Sequence, residues 1–467
     1  MMTEIEEKLG SEKLNEDPQL TSAVTTIVDR IRVHSSSIDG IRPAFDSKRL
    51  SYEEAISRFN EVRGGNLYFP YIGSGLGRGP FVELEDGSVK LDFINGIGTH
   101  PFGHSHPDLI ETALHAATSD TVMQGNLQQN REGLAFSEAL LAAANRCHNT
   151  FQHCFLSSTG VMAGENMLKI AFQARQPASR VIAFENCFAG RTLSFSQITD
   201  KPAFRVGLPS TLEVDYVPFF DESDPLGSTE RAAERLKEHL KRRPKEHAAF
   251  IYELIQGEGG FNPGTTRFFR TLMEICREHE VLNLCDEVQT FARTHSLFAF
   301  QHFALDELVD GLWIGKSSQT CATLFKSEHK PAPGLLSQTF TSSSGALAVG
   351  NRILELLTEG DYFGSHGRIA RLAERFHEGL NAIRRDHPNW IRGPYGIGAM
   401  TAFTPFEGTP QQAQAMVKTL FEDGLMAFVA GSSPARVRFL WPVGVTQPRH
   451  IDIALHKIEA ALSKHAS

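Results

Sequence analysis

The sequence lacks any long hydrophobic run. Its 467 residues are 41% hydrophobic and 22% charged, which is typical of a soluble globular protein. No stretch approaches the ~18 consecutive apolar residues that a membrane span needs. The first eight residues are acidic and contain no apolar segment, so we expect no signal peptide. We therefore expect a cytoplasmic protein large enough for more than one domain.

Cysteine is scarce, and negative charge outweighs positive charge. The six cysteines form no CxxC pair, which favours reduced, buried thiols over a disulfide framework or a zinc site. The net charge of −9 argues against nucleic acid or an anionic membrane as a partner. The histidine-rich segment 95–107 has no cysteine or carboxylate at ligand spacing. We predict a structured loop there and no metal site.

A dinucleotide-binding fingerprint is also absent. Residues 71–79 form a glycine-rich segment, which we interpret as a loop. It is followed by an alternating pattern with an Asp-Gly turn at residues 82–92, which predicts a hairpin rather than a helix. Because no helix follows the glycines, the segment matches neither a P-loop nor GxGxxG, which argues against a nicotinamide dehydrogenase.

Segments with the hydrophobic periodicity of a helix alternate with short apolar runs from about residue 108 to 340. This alternation predicts an α/β fold with a mostly parallel sheet covered by helices on both faces. We divide the chain into an N-terminal arm (1–65), a segment that leads into the large domain (66–107), the large domain itself (108–345) and a smaller C-terminal α/β domain (346–467). The arm has one predicted amphipathic helix, near residues 23–31.

Two of the short apolar runs end in ionisable groups. The run 282–285 precedes Asp286, and the run 311–314 precedes Lys316 by one glycine. Ligands bind outside the carboxyl ends of strands in open α/β sheets, so these groups are expected to face one pocket. A lysine can form a Schiff base with an aldehyde cofactor, and a buried acid can keep a pyridine nitrogen protonated, as pyridoxal phosphate requires. Taken alone, the pair equally fits a helix-capping aspartate and a surface lysine.

A third strand end offers a phosphate site. The apolar run that begins at Cys154 leads into Ser158, Thr159 and Gly160, and a helical pattern begins at Val161. Free N–H groups at a helix start, together with hydroxyl groups, bind a phosphate dianion. An ordinary Ser or Thr N-cap gives the same pattern.

Four other residues add aromatic or charged groups. Phe188 can stack on a flat heterocycle and Arg191 can clamp a carboxylate, although core packing and a surface ion pair explain them as well. Glu258 lies in a glycine-rich loop and can neutralise Arg191 when no substrate is bound. Arg438 lies inside an apolar strand, where it is costly unless it is paired or binds an anion.

Together these segments resemble the class III aminotransferases, enzymes of pyridoxal phosphate fold type I, from about Gly77 to Arg438. The matching motifs are residues 95–97 (the family's SGI), 103–107 (GHxHP), 159–165 (SGSEANE), 188–192 (FHGRT), 253–260 (EPIQGEGG), 286–290 (DEVQT) and 314–316 (the Schiff-base segment). Residues 315–321 look more like the lysine 6-aminotransferase and 4-aminobutyrate aminotransferase branch than the acetylornithine branch. The resemblance implies a large domain with a mostly parallel seven-stranded sheet and a smaller α/β domain built from both termini.

The resemblance also implies cofactor-binding roles. Lys316 would form the Schiff base and then shuttle protons, Asp286 would pair with the pyridinium nitrogen, and Gln289 would lie near the ring hydroxyl. The remaining cofactor contacts would be ring stacking by Phe188, phosphate binding by Thr159, Gly160 and Val161, and a phosphate contact by Thr339 from the neighbouring subunit. An obligate homodimer is therefore expected.

The implied reaction transfers the terminal (omega) amino group of a lysine, 4-aminobutyrate or ornithine type of amino acid to 2-oxoglutarate. It proceeds by a ping-pong mechanism and gives a semialdehyde and glutamate. Arg191 would hold the distal carboxylate of the donor, and Arg438 the α-carboxylate of 2-oxoglutarate or glutamate. Glu258 would mask Arg191 or Arg438 between the half-reactions.

Several positions differ from the family pattern. They are Ala189 for His, Leu254 for Pro, residues 291–293 for GFGR, and residues 341–344 for Gly-Gly-Asn-Pro. None removes a catalytic group, but they fall in the substrate pocket and the dimer-side loop. Two alternatives stay open: an aminomutase or decarboxylase with the same cofactor, and an inactive relative that acts as an interaction protein.

Overall fold

The computed structural model describes residues 7–119 and 123–466. The N-terminal part contains α1 (Gly10–Asn15), α2 (Pro18–Ser35), α3 (Arg49–Arg63), β1 (Gly73–Arg78), β2 (Phe81–Leu84), β3 (Val89–Asp92) and the short α4 (Asn95–Gly98). The helix predicted near residues 23–31 is confirmed as part of α2. The prediction missed α3 because this helix buries only Tyr52 and therefore has no apolar stripe in the sequence.

The glycine-rich segment forms a strand, so the predicted loop is wrong. Strand β1 pairs antiparallel with β2, with an irregular register between Gly73 and Gly77. A Cβ at Gly77 would lie 2.4 Å from the Cβ of His104. The glycine there permits close packing rather than a turn. The predicted hairpin is confirmed by β2 and β3, which pair antiparallel.

Strands and helices alternate through the middle of the chain, as predicted. The elements are α5 (Pro107–Ala117), β4 (Met123–Gln124), α6 (Arg131–Ala144), β5 (His153–Ser157), α7 (Gly160–Ala174), β6 (Arg180–Phe184), α8 (Leu193–Ile198), β7 (Glu213–Val217), α9 (Pro225–Arg242), β8 (His247–Tyr252), β9 (Ile255–Gln256), β10 (Asn262–Pro263), α10 (Thr266–Glu278), β11 (Leu282–Asp286), α11 (Ala299–His302), β12 (Gly311–Ile314), β13 (Cys321–Phe325) and β14 (Ser342–Ser343). Short 3-10 helices add Asp46–Lys48, Pro202–Phe204, Lys316–Ser318 and Ser327–His329.

The main sheet has seven strands in the order β5-β13-β12-β11-β8-β6-β7. Strand β13 is antiparallel to both of its neighbours, and the other neighbouring pairs are parallel. The predicted mostly parallel seven-stranded sheet is therefore confirmed. In the register of β11 and β12, Asp286 lies beside Trp313, so the two strands end at one edge of the sheet.

The C-terminal part contains α12 (Ser344–Glu359), α13 (Arg368–Asp386), β15 (Ile391–Tyr395), β16 (Met400–Pro405), α14 (Pro410–Glu422), β17 (Leu425–Met426), β18 (Phe428–Ala430), β19 (Arg436–Leu440) and α15 (Pro448–Ala466). Four of these strands form an antiparallel sheet in the order β15-β16-β19-β18. Strand β17 instead pairs with β3, so both ends of the chain contribute to the smaller α/β part. None of the helices in the described ranges is long and apolar enough to cross a membrane.

All six cysteines are free thiols. Cys187, Cys276, Cys285 and Cys321 are buried, and Cys154 is half-buried. The prediction of buried, reduced thiols is wrong for Cys147, which is exposed in the turn after α6.

Candidate active site

Asp286 and Lys316 lie at the carboxyl edge of the main sheet, as predicted. Asp286 is the last residue of β11 and is only 8% exposed. Its Oδ1 accepts a hydrogen bond from the Val288 N–H at 2.9 Å. Burial, together with the neighbouring Glu253 carboxylate, raises the pKa of Asp286 well above its ordinary value. The ionised carboxylate therefore lacks sufficient countercharge in this site, and a protonated ring nitrogen placed against it would supply one.

Lys316 follows β12 in a strained backbone conformation, with φ at 53°. Burial, with the charges of Arg438 and Arg293, lowers its pKa to about 8. Arg293 is itself buried and donates hydrogen bonds to backbone carbonyl groups, among them that of Gln289 at 2.8 Å. A lysine with such a pKa has a far larger fraction of neutral, nucleophilic amine near physiological pH than an ordinary lysine.

The start of α7 forms an open cradle for an anion. The helix begins at Gly160, and the Oγ of Thr159 caps it by accepting the Met162 N–H at 3.3 Å. The first N–H groups of a helix have no partner within it and attract phosphate. A Cβ at Gly160 would lie 2.9 Å from Cγ2 of Val288. Only glycine leaves this space open.

Phe188 is held at the neighbouring strand end through its backbone. Its N–H donates to Glu253 Oε1 at 2.9 Å, and the Gly257 N–H donates to Oε2 of the same carboxyl group at 2.9 Å. Burial raises the pKa of Glu253 to about 7. Glu253 therefore ties the Phe188 loop to the loop that carries Glu258. The role of Glu253 could not be predicted from the sequence, because its partners are backbone N–H groups, which a motif does not reveal.

Glu258 and Arg438 form an ion pair beside these groups. Arg438 is fully buried and donates to the Gly257 carbonyl at 3.1 Å, to Gln289 Oε1 at 3.2 Å and to Glu258 Oε1. Burial would raise the pKa of Glu258, but Arg438 and Lys201 hold it below its ordinary value. Gln289, expected near the cofactor ring, therefore also supports Arg438.

Arg191 does not take part in this pair. Its guanidinium lies over the Phe204 ring, with Cζ 3.6 Å from the centroid, and its side chain is exposed. The second cation at Glu258 is Lys201, whose Nζ lies 3.6 Å from Oε2. Sequence reasoning missed Lys201 because it lies in an irregular segment before the 3-10 helix Pro202–Phe204. Neither periodicity nor a motif marks it.

Thr339 lies in the segment that leads into β14. It is exposed and precedes β14, which pairs with β4. Two residues further on, the Thr341 N–H donates to the Gln124 carbonyl at 2.7 Å. The exposed position leaves Thr339 accessible to a second subunit.

These residues fit pyridoxal phosphate, which supplies an electrophilic carbonyl and an electron-withdrawing ring when bound. Lys316 offers the amine for the carbonyl, Asp286 a carboxyl group for the ring nitrogen, and the start of α7 a site for the phosphate. The space that a Cβ at Gly160 would fill and the raised pKa of Asp286 both suit this ligand. With the cofactor bound, the Lys316 amine would be the group available to remove and return the proton on the substrate carbon that bears the amino group.

The sequence matches the family described as "Aminotransferase class-III" over residues 71–462. The chain belongs to this family of pyridoxal phosphate enzymes, so the predicted family, enzyme class and cofactor are confirmed.

Two curated relatives and one solved structure illustrate the similarity. The diaminobutyrate–2-oxoglutarate transaminase of Wolinella succinogenes is 27% identical over 82% of this chain and 90% of that protein. The acetylornithine aminotransferase of Bacillus subtilis is 28% identical over 84% of this chain and 94% of that protein. The solved lysine aminotransferase from M. tuberculosis has a TM-score of 0.78 at 22% identity and covers 88% of this chain and 99% of its own. The structural match confirms the expected fold type I.

Proposed function

We propose that this aminotransferase moves the terminal amino group of a lysine, 4-aminobutyrate or ornithine type of amino acid to 2-oxoglutarate. The ion pair of Glu258 with the fully buried Arg438 carries this proposal. An omega-amino donor brings a methylene chain next to the reacting carbon, whereas 2-oxoglutarate brings its α-carboxylate there. A site that serves both substrates needs an arginine whose charge is masked for one and available for the other. Glu258 can neutralise Arg438 while the donor is bound and release it for 2-oxoglutarate.

The curated relatives support the same substrate class. One is named as a diaminobutyrate–2-oxoglutarate transaminase and another as an acetylornithine aminotransferase. We assign the distal carboxylate of the donor to Arg191, whose exposed guanidinium lies over the Phe204 ring. Nζ of Lys201 lies near the same ring, 5.5 Å from its centroid. A donor with a carboxylate far from its reacting amino group would suit this arrangement.

We also propose a homodimer in which Thr339 of one subunit contacts the phosphate of the other. The exposure of Thr339 supports this arrangement. Two large apolar side chains nearby are also exposed. Phe340, the next residue, is 39% exposed, and Leu127 is 99% exposed and follows Asn126, whose N–H donates to the Gln338 carbonyl at 3.3 Å. Burial of such side chains against a second copy would be favourable.

The test is the visible spectrum of the purified holoenzyme during a single half-reaction. L-lysine, L-ornithine, 4-aminobutyrate and 2,4-diaminobutyrate are added in turn without 2-oxoglutarate. The cofactor band above ~400 nm should disappear with the true donor and return when 2-oxoglutarate is added. A band that no donor changes would favour the aminomutase or decarboxylase alternative. Lys316→Ala should abolish the response, and a fully active Lys316→Ala enzyme would refute the assignment.

A further inference from the structure

One carboxylate in this site is shared by two cations. Oε1 of Glu258 accepts a hydrogen bond from Nη2 of Arg438, and Oε2 lies 3.6 Å from Nζ of Lys201. The side chains of Arg438, Glu258 and Lys201 are 0%, 20% and 26% exposed. Arg438 comes from β19, whereas Lys201 comes from the segment after α8. Glu258 thus lies between cations that belong to separate parts of the fold.

The backbone around Glu258 is fixed by hydrogen bonds. Its carbonyl accepts the Gly431 N–H at 2.8 Å. The carbonyl of Gly257 accepts from Arg438 at 3.1 Å, and that of Gly260 accepts from Arg436 at 2.5 Å. A change in the pairing of Glu258 therefore requires only rotation of its side chain.

Release of Glu258 from Arg438 would be costly without another cation. When the α-carboxylate of 2-oxoglutarate takes its place at Arg438, Glu258 becomes a mostly buried anion next to a second anion. Among the described residues, the ion pairs of Glu258 are those with Arg438 and Lys201. Arg191 instead lies over Phe204. Lys201 is thus the cation placed to receive the displaced carboxylate.

We propose that Lys201 is a positioning residue that holds Glu258 while Arg438 binds the α-carboxylate of the 2-oxo acid. This inference rests on the proposed function and deepens it. With Lys201 present, the three side chains carry a net charge of +1 whichever cation Glu258 faces. A substrate carboxylate then enters a positive site instead of a neutral one.

The variants Lys201→Met and Lys201→Arg test this role. Methionine keeps the apolar stem and removes the charge, whereas arginine keeps the charge. The matched control is Lys237→Met, which removes an exposed lysine from α9. Single-turnover rates of the donor half-reaction and the 2-oxoglutarate half-reaction are measured separately for each holoenzyme.

Lys201→Met should lower kcat/KM for 2-oxoglutarate about tenfold or more and change kcat/KM for the donor less than about threefold. Lys201→Arg should restore most of the loss, and Lys237→Met should behave as wild type. An equal loss in both half-reactions would refute the positioning role. A loss of rate confined to the donor half-reaction would also refute it, because Lys201 would then be a donor-binding residue.

A double-mutant cycle separates the proposed role from direct attraction of the ligand by Lys201. The probe is glutarate, an unreactive dicarboxylate, whose Kd for the holoenzyme is measured by calorimetry. Lys201→Met should weaken glutarate about tenfold in wild type but less than about twofold in a Glu258→Gln background. An equal effect in both backgrounds would overturn the proposal.

The two hypotheses fail in different ways. If no omega-amino donor removes the cofactor band of the wild-type enzyme, the proposed function is wrong. If wild type completes both half-reactions and Lys201→Met has unchanged rates, only the role of Lys201 is wrong.

Discussion

Glu258 and Arg438 form an ion pair in which the guanidinium is fully buried while the carboxylate keeps 20% of its side-chain surface exposed. The arginine also donates to the Gly257 carbonyl and to Gln289. Because these contacts fix Arg438, the glutamate is the mobile partner. Because a buried arginine is costly to leave unpaired, a carboxylate must lie against Arg438 in both half-reactions. Glu258 supplies this carboxylate in one half-reaction and the substrate supplies it in the other.

Replacement of Arg438 by lysine should impair the 2-oxoglutarate half-reaction selectively. Lysine keeps the charge but cannot reproduce the planar fork that binds a carboxylate through two hydrogen bonds. Loss of one charge-assisted hydrogen bond costs about 1.5–3 kcal/mol, so the KM for 2-oxoglutarate should rise roughly 10- to 100-fold. The kcat/KM for the donor should change less. Steady-state kinetics with each substrate varied in turn measures both values.

Arg436→Lys provides the control for this variant. Arg436 lies two residues away on β19, is also buried, and lies over the Tyr395 ring with Cζ 3.5 Å from the centroid. It bonds to Gly260 and Asn262 and has no contact with Glu258 among the described hydrogen bonds and ion pairs. Arg436→Lys should lower stability without changing the ratio of the two kcat/KM values. The same ratio change in both variants would show that Arg438 is only structural.

The rate of cofactor uptake by the cofactor-free protein should follow the ionisation of Lys316. Its pKa is lowered from 10.5 to about 8 by burial and the nearby guanidinium groups. At pH 7 roughly a tenth of this amine is neutral, against roughly one part in 3,000 for an ordinary lysine. Because the neutral amine reacts, the rate should rise with pH and level off above about pH 8.

Absorbance at the cofactor band measures this uptake at a series of pH values. The reaction of pyridoxal phosphate with Nα-acetyllysine controls for the ionisation of the cofactor itself. A rate that keeps rising with pH as steeply as in this control would contradict the lowered pKa of Lys316.

The sequence was sufficient to place Asp286 and Lys316 at one edge of the sheet but not to predict their surroundings. Asp286 and Lys316 could be predicted because each follows an apolar strand, and parallel strands end at one edge of the sheet. Lys201 could not, because its contact with Glu258 depends on how an irregular segment folds back over the site. Arg191 has the expected motif, but its neighbour, Phe204, is determined by the tertiary fold.

The secondary structure was also predictable only in part. The amphipathic helix predicted near residues 23–31 lies within α2, which buries Val24 and Val28. Strand β1 was missed because it has no alternating apolar pattern and because the close packing of Gly77 against His104 cannot be seen in the sequence. Helix α3 was missed because it buries a single residue. Elements stabilised by the protein core are thus visible in the sequence, and those on its periphery are not.

Gly160→Ala should weaken retention of the cofactor. The new Cβ would lie 2.9 Å from Cγ2 of Val288, so the start of α7 or the Val288 side chain must shift. We expect the cofactor to dissociate about tenfold faster on dilution, since such overpacking typically costs about 1–3 kcal/mol. Loss of the visible band during dialysis measures the rate.

Gly345→Ala is the matched control because Gly345 also lies in the first turn of a helix, α12, with no atom within 4 Å of an added Cβ. This variant should retain the cofactor normally and be slightly more stable, since alanine favours the helix. Equal retention in both variants would mean that the start of α7 at Gly160 does not contribute to the cofactor site.

Thr339→Ala should weaken the phosphate site of the opposite subunit if the enzyme is the proposed homodimer. A heterodimer formed from two impaired variants tests whether Thr339 acts across the interface. A heterodimer of a Lys316→Ala subunit and a Thr339→Ala subunit would contain one site with both defects. Its other site would combine Lys316 of one chain with Thr339 of the other and would be intact.

Such a heterodimer, purified with two different affinity tags, should therefore bind the cofactor at one site with wild-type affinity. It should also show about half of the wild-type activity per dimer, because half of the sites are complete. If Thr339 instead serves its own subunit, one site lacks Lys316 and the other lacks the threonine. The activity of the heterodimer would then not exceed half that of the Thr339→Ala homodimer. This result would rule out a contact of Thr339 with the site of the opposite subunit.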